Sequence, residues 1–192
     1  MPTNFDIAKP VSDRVELVSV SLSHAEIDAK FDPIDEPSDL VLGTRHRAAP
    51  SPPTEDDPYF RVHIEFEFRA EPNSDSKEVD FSSDNYFVRL FAQFLLIYSV
   101  EDSAELTQGQ YLSFADLNGT FNAWPYWREL IQTSTGRVGL AGITIPTYRA
   151  RKYEVSSADN EMASPRKASK KKSGKTKSSK KDLSKNEAKR RA

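Results

Sequence analysis

YFRVHIEFEFRA, residues 59–70, carries the strictest pattern in the chain: Phe60, Val62, Ile64, Phe66 and Phe68 alternate with Arg61, His63, Glu65, Glu67 and Arg69. Successive side chains of a strand point to opposite faces, so a period of two predicts a strand with one buried and one solvated face. A chain holding such a strand must also supply neighbours for its edges and a cover for its apolar face. In NYFVRLFAQFLLIYSVED, Val88, Leu90, Ala92, Phe94, Leu96 and Tyr98 share one face. The other face mixes Phe87, Phe91, Leu95 and Ile97 with Arg89 and Gln93, which predicts burial on both sides. The polar stretch EPNSDSKEVDFSSDN between the two strands reads as a hairpin loop.

Two more strands complete the sheet. In DRVELVSVSLSH, Val18, Val20 and Leu22 alternate with serines, and LVLGTRHR, residues 40–47, is a weaker strand. The acidic, proline-broken segment AEIDAKFDPIDEPSD connects them, and AAPSPPTEDDP is a polar loop before the strictest strand. The pattern predicts an antiparallel meander of four strands.

The cover must come from residues 104–135. Ala123, Trp124, Trp127, Leu130 and Ile131 fall within one arc of a helix, with Arg128, Glu129 and Gln132 elsewhere. Asn118-Gly119 reads as a helix stop, and Pro125 as the first turn of a restarted helix or a kink, with Thr120 or Asn122 as candidate N-cap. The fold class is therefore α+β: a four-stranded antiparallel sheet with a long, interrupted helix packed on one face.

Charge divides the chain. Residues 164–192 hold 13 lysines and arginines against two acids, which leaves 14 basic and 27 acidic residues in 1–163. The formal net charge of -2 thus conceals a body near -13 and a tail near +11. Leu183 is the only large apolar residue of that tail, too little apolar surface to offset the entropy of ordering it. The expected organisation is an N-terminal arm (1–12), one domain (13–149) and a disordered, lysine-rich tail (150–192).

Catalytic chemistry has no candidate. No cysteine is present, so thiolate nucleophiles, disulfides and cysteine-ligated metal are excluded, and a reducing cytoplasm fits. His24, His46 and His63 lack metal-ligand spacing and read as solvent-exposed histidines on or beside polar strand faces. GLAG, residues 139–142, lacks the lysine of a phosphate loop, and the carboxylates cluster in solvated loops such as TEDDP. The amino-terminal MPTNFDIAKP has no leader-like apolar stretch, and FLLIYSV is too short to span a bilayer. A non-enzymatic, soluble binding protein without cofactor or metal is expected.

YLSFADLNGTFNAWPYWRELIQTSTGRVGLAGITIPTYR resembles the main-helix region of the SecB export chaperones, in which an aromatic-Pro-Tyr-x-Arg-Glu element precedes a Ser/Thr-rich turn, an Arg-Gly loop and an apolar strand ending in proline. Here these parts are WPYWRE, QTST, GRVG and ITIP. The resemblance covers residues 13–149, and its specific motif lies in 111–146. Two departures stand out. The family's second, apolar C-terminal helix has no good counterpart in TYRARKYEVSSADNEM, and the cysteine-containing zinc tail that docks on the SecA translocation ATPase is absent.

The resemblance implies a cytoplasmic, ATP-independent holdase for unfolded polypeptides such as export precursors, assembled as a homotetramer, a dimer of dimers. It implies SecA as a partner through acidic sheet surface. A narrower alternative is a SecB-like chaperone dedicated to an antitoxin of a toxin-antitoxin pair. A third reading, from the tail's charge, is an adaptor for nucleic acid or another anionic surface. Candidate client-binding residues are Leu40, Leu42, Tyr111, Phe114 and Phe121. Candidate oligomer-interface or core residues are Val18, Val20, Trp124, Trp127, Leu130 and Ile131.

Overall fold

The computed structural model describes residues 2–32, 39–73, 78–140 and 142–154. Its elements are α1 (Asn4–Ser12), β1 (Val15–Ala29), β2 (Leu40–Ser51), β3 (Phe60–Pro72), β4 (Val88–Val100), α2 (Gln108–Phe114), a π-helical turn (Ala115–Gly119) and α3 (Thr120–Arg137). The fold class is the expected one: a four-stranded antiparallel sheet with a long helix on one face.

The strand order is β1-β4-β3-β2, so only β2, β3 and β4 form a meander. β1 lies beside β4 at the far edge, a Greek-key arrangement in which β1 and β2, consecutive in the chain, occupy opposite edges of the sheet. The alternation in β1 could not reveal this, because it specifies a face and not a neighbour. Register shifts after Leu17 and after Leu22 leave Val18 and Ser23 as extra residues in bulges. Leu17, Val20, Leu22 and Ile27 thereby share the face of their partners Tyr98, Leu96, Phe94 and Leu90. The expected face of Val18, Val20 and Leu22 is corrected accordingly.

The core lies between β3, β4 and the helix. Phe60, Val62, Ile64, Phe66 and Phe68 are fully buried, as are Val88, Leu90, Ala92 and Leu96. Phe60 packs against Tyr111 at 4.8 Å and Phe114 at 5.6 Å between ring centroids, and Phe66 stacks on Trp127 at 5.2 Å. The expected burial of the opposite face of β4 is only half met: Phe91, Leu95 and Ile97 are half-buried, with no helix over them among the described residues.

The helix is not interrupted. Residues 108–137 run as α2, the π turn and α3 without a break. Thr107 starts it with a capping box, its hydroxyl accepting from Gln110 N–H and its own N–H donating to Gln110 Oε1 at 2.7 Å. Asn118-Gly119 does not stop the helix, because the widened turn carries the backbone ladder through, with Thr120 N–H donating to Ala115 O and Leu117 O. Neither Thr120 nor Asn122 serves as an N-cap: Asn122 donates instead to the Tyr98 hydroxyl at 3.0 Å. Pro125 sits inside α3 rather than at a restart, and Gly139, at φ 93°, follows the helix end.

Residues 4–12 are more than an arm. A Thr3–Asp6 capping box opens α1, and Ala8 and Val11 are buried in the common core. After α3 the chain returns in extended form. Trp124 Nε1 and Arg128 Nε hold it by donating to the carbonyls of Pro146 and Ile145, each at 2.9 Å. Asn4 then receives it, donating from Nδ2 to Arg151 O at 2.9 Å and accepting from Tyr153 N–H at 3.1 Å. The described chain ends at the Thr3–Glu154 bridge, so residues 150–154 of the expected disordered tail are instead held against α1, and 155–192 lie outside the described residues.

Candidate polypeptide-binding surface

Where the helix stops covering the sheet, apolar surface is left bare. On β1, Leu17, Leu22 and Ile27 point to the helix side yet are 40%, 48% and 44% exposed, while their β4 partners are buried. β1 is also an edge strand, and no described residue pairs with its outer side. Apolar side chains on a free edge invite a further extended chain, which gains both backbone hydrogen bonds and burial.

A second patch lies over the start of α3. Phe121 is 62% exposed and, with Trp124, Pro125, Arg128, Thr147 and Tyr148, lines a groove of about 180 Å³ between the helix and the returning chain. Tyr148 forms its wall: its ring lies 5.2 Å from Trp124 and meets His46 edge-on at 5.8 Å. His46 is therefore half-buried on the helix side of β2, not solvent-exposed on a polar face, and its Nε2 lies 3.5 Å from Asp116 Oδ1. His24 and His63 are exposed on the opposite face.

The residues singled out in the sequence divide by burial. Leu42 and Phe121 are exposed, and Leu40 is half-buried against the core. Tyr111 and Phe114 are only 3% and 2% exposed, packed on Phe60, which leaves neither with surface for a client. Trp127 and Ile131 are fully buried within the protomer, and Trp127 Nε1 donates to Thr44 Oγ1 at 3.1 Å. Trp124 is nearly buried, Leu130 and Val20 are half-buried, and Val18 is exposed. Leu17, Leu22 and Ile27 were missed as a set because the bulges break the alternation that would have marked them.

The opposite face of the sheet is polar and mixed. Glu67 lies at its centre, its side chain 7% exposed: Oε2 accepts from Arg45 Nε and Nη2 at 2.9 and 2.5 Å, and Oε1 from Arg69 Nε and Arg89 Nε at 2.9 Å. Burial opposes ionisation of this carboxyl most strongly, but the hydrogen bonds from Arg89, Arg45 and Arg69 outweigh it and hold its pKa below the ordinary value. On the helix side, burial pushes the Tyr98 hydroxyl up to about 12, against the pull of its hydrogen bond from Asn122. No three histidine, aspartate or glutamate side chains converge as a metal set among the described residues, and no helix there is long and apolar enough to cross a membrane.

A four-stranded antiparallel sheet capped on one face by a single long helix matches the fold of a solved SecB-like chaperone. The chain is similar to the Mycobacterium tuberculosis SecB-like chaperone Rv1957, solved in complex with a ChAD peptide from the Rv1956 HigA1 antitoxin: TM-score 0.62, 16% identity, 76% of this chain and 98% of that chain covered. A protein of unknown function from Streptococcus agalactiae matches with TM-score 0.34 and 12% identity over 69% of this chain and 96% of that one. No family model matches the sequence, and no curated protein does. The likeness to Rv1957 is one of fold.

Proposed function

We propose that this chain is an ATP-independent chaperone that binds unfolded polypeptide and keeps it from folding or aggregating. The observation that carries the reading is its fold likeness to a SecB-like chaperone that holds an antitoxin peptide. Bare apolar surface on β1, at Leu42 and around Phe121 supports it. Fully burying one such leucine or phenylalanine contributes roughly 1.5–3 kcal/mol, so scattered apolar side chains of a client suffice for micromolar holding without sequence preference. Preferential binding to the unfolded client then opposes its folding by mass action.

In this reading the protein works in the cytoplasm as an oligomer. The free edge of β1 pairs with its counterpart in a second copy, and two such dimers form a tetramer. A dedicated antitoxin client is favoured over general export by the peptide held by the similar structure. The tail's charge of about +11 supports a second activity, contact with nucleic acid or another anionic surface.

The test is aggregation of a chemically denatured model enzyme with and without stoichiometric chaperone, in the absence of nucleotide. Suppressed light scattering is expected; unchanged scattering with a monodisperse monomer would sink the proposal. An antitoxin encoded beside the gene, kept soluble only when co-expressed with this protein, separates the dedicated role from the general one.

A further inference from the structure

The outer edge of β1 faces no described strand, and every residue of β1 but Val15 and Val20 is exposed. Edge strands are ordinarily guarded by lysines, yet β1 carries neither lysine nor arginine between Val15 and Ala29. Its charge is also unbalanced. Glu101 N–H donates to Arg14 O at 3.0 Å, which sets the loop after β4 beside the start of β1. Glu16, Glu101, Asp102 and Glu105 are exposed there, and none of the four forms an ion pair among the described residues. Lys9 is taken by Asp13 at 2.6 Å, and Arg61, two strands away, by Asp57. Arg14, whose Nη1 donates to the Ala104 carbonyl at 2.8 Å, is then one cation against four carboxylates. Leu17 and Val18, 40% and 57% exposed, follow Glu16 directly.

A source of cations leaves the structure close by. Asn4 holds Arg151 and Tyr153, Thr3 bridges Glu154, and α1 runs from that point to Ser12, just before β1. A helix of that length spans about 14 Å, and residues 155–163 can reach up to about 30 Å. Segment 164–192, with 13 lysines and arginines against two acids, is therefore tethered within range of the acidic corner. Tethering gives it an effective concentration on the order of millimolar there, so contacts too weak to hold two separate molecules together are populated.

We infer that the lysine-rich segment 164–192 docks on the β1 edge of its own protomer. Its ammonium groups meet Glu16, Glu101, Asp102 and Glu105, and its methylene stems lie over Leu17 and Val18. Three features single out this occupant: the sign of its charge, the point at which the chain leaves α1, and the length of chain available. Exposed ion pairs are individually weak and screened by salt, so the segment covers the edge without sealing it. A client strand or a second copy that takes the edge has to displace it, a consequence that rests on the proposed function.

The test is zero-length carbodiimide crosslinking of the full-length protein, which joins a lysine to a carboxylate only where the two touch, read by mass spectrometry. In about 50 mM salt the lysines of 164–192 are expected to join Glu16, Glu101, Asp102 and Glu105 ahead of the exposed Glu55 and Asp56, and in about 500 mM salt these links should fade. Links spread evenly over Glu55 and Asp56 overturn the inference. So do links found only between chains when isotope-labelled and unlabelled protein are mixed. A full-length variant carrying Glu16→Gln, Glu101→Gln and Glu105→Gln, melting no lower than wild type, gives the second arm. By fluorescence anisotropy it should bind a labelled, uncharged decapeptide of alternating Val and Ser at least fivefold more tightly than wild type in the lower salt, and equally in the higher. Equal binding in the lower salt overturns the cover. If neither protein binds the peptide, the client reading fails, and the crosslinks still decide the docking.

Discussion

Glu67 and Trp127 show how much rests on single side chains. The pKa of Glu67 lies below its unfolded value of about 4.3 because three arginines favour its ionised form. A depressed carboxyl contributes stability that is complete above the unfolded pKa and is lost as pH falls through the folded one. Wild type is therefore expected to lose this contribution as pH falls below about 4. Glu67→Gln should abolish that part of the acid dependence and cost up to about 3 kcal/mol at pH 7, because it takes the facing carboxylate from the largely buried Arg69; urea titrations at pH 7 and pH 3 read both effects. Trp127, an oligomer-interface or core candidate in the sequence, is fully buried on Phe66 within one protomer. Trp127→Ala is accordingly expected to cost about 3–5 kcal/mol of protomer stability. Dissociation of an otherwise stable fold, seen by light scattering alongside denaturation, would restore the interface role.

At the level of elements, faces were legible and connections were not. Alternation in β3 and β4 placed Phe60 to Phe68 and Val88 to Tyr98 in the core because a period of two admits one reading. The helix was legible as an apolar arc, yet Asn118-Gly119 misled. Glycine favours a helix end only where the backbone needs a positive φ, and here Gly119 stays helical at φ -58° for a different reason. A Cβ there would lie 3.0 Å from Val62 Cγ1 and 3.5 Å from Ile64 Cδ1, so the glycine admits close approach of helix and sheet at the π turn. Gly119→Ile is expected to destabilise by about 1–3 kcal/mol through overpacking, despite a better helix former in place of glycine. A denaturation midpoint equal to wild type would show that the turn yields.

At the scale of the molecule, the proposed function gives the bare stripe on β1 two tasks, assembly and holding. Leu22→Ser with Ile27→Ser changes only exposed side chains, so protomer stability should shift by no more than about 0.5 kcal/mol. Solution mass or client holding, in contrast, should fall; a variant with both unchanged would remove β1 from the functional surface. By itself the sequence determined the class of fold, the inward faces of β3, β4 and the helix, and the division of charge between body and tail. These follow from periodicity and composition, which are local properties. Only the tertiary structure decided that β1 pairs with β4, that bulges bring Leu17, Leu22 and Ile27 onto the helix side where no described helix covers them, and that Tyr111, Phe114 and Trp127 are inside. Strand neighbours, bulge positions and the reach of a covering helix depend on contacts between residues distant in the chain, and a pattern along the chain does not encode them.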